Sequence, residues 1–235
     1  MKGVARAATC ILMLAGLALA ACSGGERGGG DQIMRRGART DPQRLISLLS
    51  VEAIPTSIGP VVVGEIENRS TKAVEAVKIT VALKDRDGAS IGRQFGPTLL
   101  QIIPPGGKAP FSIPFTGGER TVGTIDTRLE ANLAGDKKVL ALQVAEHTKK
   151  RTGNLYEVSG LVRNSTGVPV NFPRVIAVFY DRDGRVVGAE ETVAHDGVLA
   201  SGDSAPFRIG LNERAKRVAK VAFLTEGVAL AREKS

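Results

Sequence analysis

One short segment of this chain has the spacing of a catalytic motif. Residues 88–92 read Gly-Ala-Ser-Ile-Gly and match G-x-S-x-G, the pattern that presents a nucleophilic serine in hydrolases. That serine needs a strand-to-helix turn, together with a histidine and an acid from elsewhere in the fold. Here the segment overlaps Asp87-Gly88, a hairpin signal, and the related segment at 184–188 has no serine. We therefore expect the glycines to serve a turn, and we predict no catalytic residue and no enzymatic activity.

Two turns with paired aspartates could instead be calcium loops. Asp85-Arg86-Asp87-Gly88 and Asp181-Arg182-Asp183-Gly184 each contain D-x-D-G. Calcium takes six to eight oxygen ligands, and an EF-hand loop continues to a bidentate glutamate that neither copy supplies. Hairpin turns, in which Asp accepts backbone N–H bonds and Gly takes a positive φ, are the favoured interpretation. In that case Arg86 and Arg182 would pair with the neighbouring carboxylates.

The remaining polar motifs do not form a predicted site. His147 and His195 are the two histidines of the chain, and neither has a second ligand at zinc-binding spacing. We predict no metal and no cofactor. Asn68-Arg69-Ser70 and Asn164-Ser165-Thr166 match glycosylation sequons, and we interpret both asparagines as turn residues.

Two cysteines occur near the amino terminus, and their surroundings indicate export. A basic start precedes an apolar run from Ala7 to Ala21 that ends in small residues, as secretory signal peptides do. The run is shorter than the roughly 20 apolar residues that a transmembrane helix needs. Cys10 lies within it, so removal of residues 1–21 would leave Cys22 alone and exclude an intramolecular disulfide.

The residues around Cys22 resemble a bacterial lipobox. Leu19-Ala20-Ala21-Cys22 has the lipobox order, and the resemblance implies cleavage before Cys22 and lipidation of its thiol. Two or more acyl chains anchor a protein stably. Ordinary cleavage after Ala20 would leave a soluble secreted protein and give Cys22 no role. Ser23 directly follows the cysteine, and a serine at that position resembles the lipoproteins that are transported to the outer membrane. We expect a lipid anchor on the extracytoplasmic side of the cell envelope, in the outer membrane if the cell is Gram-negative.

The charge of the chain is basic, which raises the question of a nucleic-acid partner. The sequence has 32 Lys and Arg against 24 Asp and Glu, a formal net charge of +8. It has no Trp and two Tyr, so it lacks the aromatic platforms on which bases stack. We predict no nucleic-acid partner and interpret the charge as a solvated surface beside an anionic membrane.

A segment near the middle of the chain recurs 96 residues later without a gap. Residues 64–111 and 160–207 share 12 of 48 aligned residues, and the register holds through turns as well as apolar runs. The chain therefore contains two copies of one domain. The predicted division is a lipoprotein signal peptide (1–21), a flexible Gly-rich tether (22–43), a first domain (44–133), a second domain (137–230) and a tail (231–235). We expect each domain to fold on its own.

Each copy has the pattern of short strands separated by turns. The segment 77–84 alternates between apolar and mostly polar residues, as a strand does when one face lies in the core and the other in water. The apolar positions are Val77, Ile79, Val81 and Leu83, and the others are Lys78, Thr80, Ala82 and Lys84. About seven such strands in roughly 90 residues predict a β-sandwich. The fold class is therefore all-β, with two tandem sandwiches and no parallel sheet.

Both copies resemble the immunoglobulin-like FxLYD domain. The second copy carries Gly160 to Asn164, then Phe179-Tyr180-Asp181, then Asp183-Gly184, then Gly202 to Phe207, in the order of that family. The first copy departs from it, because Lys84 replaces the tyrosine. The resemblance implies an Ig-like module, often carried by extracytoplasmic lipoproteins, and it brings no catalytic residues.

These observations favour a membrane-anchored envelope lipoprotein without enzymatic activity. The tandem sandwiches would serve protein–protein interaction or spacing in a cell-envelope assembly, through sheet edges or loops. The predicted partners are the membrane, through the lipid on Cys22, and another envelope protein. The alternative is a small-molecule or glycan-binding lipoprotein of the periplasm or cell surface, which would need a concave pocket.

Overall fold

The computed structural model describes residues 45–136, 138–212 and 214–230. The predicted signal peptide, Cys22, the tether and the tail lie outside the described residues. The described part is built from antiparallel strands with one short 3-10 helix, which confirms the all-β prediction. No helix within it is both long and apolar enough to cross a membrane.

The first repeat contributes seven strands to two sheets. They are β1 (Ile46–Ile54), β2 (Val61–Asn68), β3 (Val74–Asp85), β4 (Ser90–Pro97), β5 (Ile102–Ile103), β6 (Lys108–Pro114) and β7 (Val122–Leu133). Sheet A has the order β1-β2-β6. Sheet B is centred on β3, which pairs with β4, β5 and β7. Ile46 to Leu49 form the first part of β1.

The second repeat forms the same two sheets with one added strand. Its strands are β8 (Val139–Leu140), β9 (Gln143–Thr152), β10 (Leu155–Arg163), β11 (Val170–Tyr180), β12 (Val186–Val193), β13 (Val198–Leu199), β14 (Ser204–Leu211) and β15 (Lys220–Ala229). Sheet C has the order β12-β11-β15-β8, with β13 also paired to β11, and sheet D has the order β14-β10-β9. Strands β9 to β15 follow β1 to β7 in the same order at an offset close to 96 residues.

Each repeat has a core between its own two sheets. In β14, Ala205, Phe207, Ile209 and Leu211 are buried and the intervening residues are exposed, which is the expected alternation. The equivalent face of β6 buries Ala109, Phe111 and Ile113.

A glycine at the same place in each repeat lets neighbouring backbones approach closely. A Cβ at Gly64 would overlap the carbonyl oxygen of Ser50, and one at Gly160 would overlap that of Glu146. Because a backbone carbonyl within a sheet cannot move aside, no larger residue fits at either position. This explains why the glycine is identical in the two copies.

The described residues form one compact unit rather than two separate ones. Strand β12 of the second repeat contacts β1, β2 and β6, so sheet C packs on sheet A. The sheets therefore stack in the order B, A, C, D. The predicted first domain ends at Leu133, the last residue of β7, and the predicted start of the second at 137 lies outside the described residues; both bounds stay a prediction.

Candidate functional site

The G-x-S-x-G segment lies on a hairpin, as the sequence predicted. Ser90 is the first residue of β4, and Gly88 in the preceding turn has φ +83°. The turn joins two antiparallel strands, β3 and β4, rather than a strand and a helix. Ser90 therefore lacks the backbone setting that a nucleophile elbow requires.

The two Asp-Arg-Asp-Gly turns have the predicted hairpin chemistry. Asp85 Oδ1 accepts the N–H groups of Asp87 and Ala89 at 3.0 and 2.9 Å, and Asp181 Oδ1 accepts those of Asp183 and Arg185 at 3.0 and 2.9 Å. These bonds, with the Arg185 N–H foremost, lower the pKa of the Asp181 carboxyl. Among the described residues, no cluster of three or more His, Cys, Asp or Glu side chains could hold a metal ion.

The expected pairing of Arg86 and Arg182 with these aspartates is wrong. Arg185 lies 3.6 Å from Asp183, and Arg217 lies 3.5 Å from Asp181. Arg86 and Arg182 are exposed, and neither forms an ion pair with a described residue. The reason is that each first aspartate turns back onto its own backbone, away from the arginine that follows it.

The two sequon asparagines are completely buried and hold equivalent turns together. Asn68 Nδ2 donates to the carbonyls of Lys72 and Ile103 at 2.8 and 2.9 Å. Asn164 Nδ2 donates to those of Val168 and Leu199 at the same distances. This confirms both as turn residues, since an amide nitrogen with two internal acceptors and no exposure cannot accept a glycan.

Replacing Asn164 with Ala should lower the free energy of unfolding by about 2–3 kcal/mol, because the Leu199 carbonyl would be left buried without its donor. Asn154→Ala, at an exposed hairpin tip, is the matched control and should change it by less than about 0.5 kcal/mol. Chemical denaturation of the purified variants measures both. Equal losses would contradict the role assigned to Asn164.

A further buried face joins sheet A to sheet C. Val63 points out of sheet A, and Ile176 and Val178 point out of sheet C; all three have no exposed surface. Ile176, Val178 and Val186 belong to the same apolar cluster as the core of the first repeat. We call this surface the junction. In β2 and β11, therefore, the outer face of the strand is buried as well as the inner one, because each repeat covers the outer face of the other.

A buried ion pair lies at one side of the junction. Glu226 on β15 is 2% exposed, and its carboxylate accepts Arg174 Nη1 at 2.6 Å and the Gln101 N–H at 3.0 Å. Arg174 Nη2 donates to the carbonyl of Leu99 at 3.0 Å and also contacts Glu191. Both charged groups of the second repeat thus bind the backbone of the segment between β4 and β5 of the first.

A tyrosine–carboxylate bond also crosses the junction. Tyr180 Oη donates to Glu65 Oε1 at 2.8 Å, and Glu65 is 7% exposed. Burial raises the pKa of the Tyr180 hydroxyl, and the hydrogen bond and charge of Glu65 raise it further. Tyr180 therefore keeps its proton, and the bond persists across the physiological pH range.

A second ion pair closes the exposed rim of the junction. Arg217, in the 3-10 helix Ala215–Arg217, donates to Glu52 of β1 through both Nη atoms at 2.7 and 2.9 Å. The hydrogen bonds that Arg217 donates to Glu52 raise the pKa of Arg217. Because the pair is partly exposed, it contributes about 0–1 kcal/mol and mainly fixes the orientation of the two repeats.

Sequence reasoning missed the junction, although a signal was present. Residues 175–180 form an unbroken apolar run, whereas their counterparts at 79–84 alternate with polar residues. A strand buried on both faces has such a run. The predicted lipidation site Cys22 lies outside the described residues, so it is not placed relative to the junction.

Comparisons with known proteins identify no family. No protein-family profile matches the chain, and no curated protein matches it. Similar solved structures include the exo-chitosanase CsxA of Amycolatopsis orientalis, with 13% identity, a TM-score of 0.27, and coverage of 75% of this chain and 25% of that one. Red sea bream transglutaminase is 9% identical with a TM-score of 0.23, over 80% of this chain and 32% of that one.

A tandem CBM22 domain from Paenibacillus barcinonensis Xyn10C is 10% identical with a TM-score of 0.23, over 81% of this chain and 88% of that one. This chain thus spans about a quarter to a third of the two enzymes. At identities and TM-scores this low, these structures carry no information on what the chain does.

Proposed function

We propose that this chain is a non-enzymatic lipoprotein of the bacterial cell envelope that displays two rigidly joined β-sandwiches from a membrane. Cys22 carries the lipid in this proposal, and residues 22–43 form the tether. The sandwiches then act as a spacer or as a binding module for another envelope protein. The outer membrane is the proposed location in a Gram-negative cell.

The junction is the observation that carries this proposal. Domains within one chain usually move relative to each other unless their interface is large and apolar. Here Val63, Ile176 and Val178 are fully buried between the repeats, and three sets of polar bonds surround them. A pair of domains joined in this way holds its length and orientation, which suits a spacer or a display module.

The hydrogen bonds of the buried carboxylates also favour this function over catalysis. Buried ionisable groups often mark active sites. The two glutamates buried in the described part, Glu65 and Glu226, both bind across the junction. Their burial is therefore accounted for by the connection between the repeats.

The edges of the sheets offer a route for binding a partner protein. Strand β7 is twelve residues long and pairs with β3 alone among the described strands. A free edge of this length can accept an added strand through its backbone N–H and C=O groups. This supports protein–protein interaction as the role of the displayed module.

The anchor is tested by replacing Cys22 with Ser and fractionating cells that express the full chain. The lipidated protein should sediment with membranes and resist a high-salt wash, whereas Cys22→Ser should appear in the soluble fraction. Cys10→Ser is the matched control and should stay with the membranes, because Cys10 lies in the segment that is removed. Unchanged retention of Cys22→Ser would overturn the proposal of a lipid anchor.

A further inference from the structure

A trough lies along sheet C where the two repeats meet. Lys220, Ala222, Leu224 and Glu226 alternate along β15 and share the outer face of that strand, in a row of about 20 Å. Two depressions lie over this row, with volumes of about 580 Å³ at the Lys220 end and about 550 Å³ at the Glu226 end. Lys108 of β6 lines both, so the depressions are neighbours, and we call the two together the trough.

One end of the trough is cationic. Lys108 comes from the first repeat, Arg182 from the turn after β11, and Lys220 from the start of β15. All three side chains are exposed, and no carboxylate of a described residue lies within ion-pair distance of any of them. Three positive charges therefore line one depression at the boundary of the two repeats, together with the carboxylates of Glu65 and Asp181.

The two acidic residues at this end are already occupied. Glu65 accepts the hydroxyl of Tyr180. Asp181 accepts two backbone N–H groups through one oxygen and lies 3.5 Å from Arg217 through the other. Both carboxylates keep their negative charge, but the three cations outnumber them and Asp181 also faces Arg217, so the balance of charge at this end is positive and favours an anion.

The other end of the trough is apolar. Its walls come from both repeats and from the segment that connects them, and they are formed chiefly by Leu100, Ile102, Leu140, Leu142, Phe223 and Leu224. The buried pair of Glu226 and Arg174 closes the far side. A concave apolar surface of several hundred Å³ with polar groups at one end has the size and character of a small-molecule site.

We propose that this trough binds an anionic amphiphile, namely a single hydrocarbon chain with a phosphate head group. The chain lies between the leucines of the two repeats, and the phosphate binds Lys108, Arg182 and Lys220. Only a ligand with both parts uses the whole trough, because a free anion gains nothing from the apolar end and a neutral hydrocarbon gains nothing from the cations. The site is independent of whether Cys22 is acylated.

The test measures binding of 1-oleoyl-lysophosphatidic acid to the purified full chain with Cys22→Ser, by equilibrium dialysis below the micelle concentration. We expect one saturable site per chain. Oleoyl-lysophosphatidylcholine, which has the same chain but no net charge, and inorganic phosphate, which has no chain, should each bind at least about tenfold more weakly.

Twin positions in the two repeats provide the matched control. Arg182→Glu should weaken lysophosphatidic acid binding by about tenfold, because it places a negative charge beside the phosphate. Arg86→Glu alters the same residue in the equivalent turn of the first repeat and should leave binding unchanged. All variants share the same amino-terminal segment, so any binding by that segment cancels in the comparison.

Three outcomes would overturn the proposal. Equal binding of the zwitterionic lipid would remove the role of the cations, and equally tight binding of inorganic phosphate would remove the role of the apolar end. Equal losses for Arg182→Glu and Arg86→Glu would place binding elsewhere on the molecule. None of these results depends on membrane anchoring, so failure here is distinct from failure of the proposed function.

Discussion

Replacing Glu226 with Ala should lower the free energy of unfolding by about 3–5 kcal/mol. Glu226 is 2% exposed and accepts hydrogen bonds from Arg174 and from the backbone of Gln101. Removal of one partner of a buried ion pair takes away much of the compensation of the other charge, and this is costlier than the net contribution of the pair itself. Arg174 would keep its contacts with Glu191 and Leu99 but lose its most buried carboxylate.

The control for Glu226→Ala is Glu130, the glutamate at the equivalent position of the first repeat. Glu130 is 96 residues earlier, its side chain is 42% exposed, and it lies 3.3 Å from Arg128. Because exposed pairs contribute little, Glu130→Ala should change the free energy of unfolding by less than about 1 kcal/mol. Denaturant titrations of both variants measure the difference. Similar values for Glu130→Ala and Glu226→Ala would show that the burial of Glu226 has no energetic consequence.

The local structure of each repeat could be predicted from the sequence because its determinants are local. Alternation in Val77 to Leu83 predicted β3, and the Asp-Gly pairs predicted the hairpins that follow β3 and β11. The asparagines at 68 and 164 were predicted as turn residues, and their side chains bond to backbone groups four residues along the chain. Asn, Asp and Gly determine turns through their effects on backbone groups only a few residues away in the sequence, so the local sequence is enough to predict them.

The junction could not be predicted because its contacts lie far apart in the chain and at unrelated positions of the two repeats. Tyr180 and Glu65 are 115 residues apart, and Arg217 and Glu52 are 165 apart. The apolar run at 175–180 indicates a strand buried on both faces, but it does not identify what covers the second face. The repeat itself suggested equivalent domains, whereas the junction joins a different face of each.

The equivalent outer faces at the two ends of the stack carry other residue types than the junction does. In sheet B, Thr80, Ala82 and Lys84 occupy the positions of Ile176, Val178 and Tyr180 in sheet C. In sheet D, Ser159 and Leu161 occupy the positions of Val63 and Glu65 in sheet A.

Replacing Val178 with Asp should separate the two sandwiches while leaving their own cores in place. Val178 has no exposed surface and belongs to the apolar cluster of the first repeat. A carboxylate there would be buried without a partner, at a cost of roughly 3–5 kcal/mol if the junction stayed closed. Opening the junction lets water reach the charge, and Val175, Ala177 and Phe179, on the opposite face of β11, keep their places in the core of the second repeat.

The control for Val178→Asp is Ala82→Asp, the twin position on the half-exposed outer face of sheet B. It introduces the same charge on the equivalent strand and should leave the stack closed. Amide hydrogen exchange distinguishes the two variants. In Val178→Asp, exchange should accelerate in β1, β12 and the segment between β7 and β9, while the interior of β11 stays protected. Loss of protection throughout both cores would instead mean that neither repeat is stable without the junction. Unchanged exchange would mean that the junction contributes little to the stability of the pair, and rigid display would then lose its support.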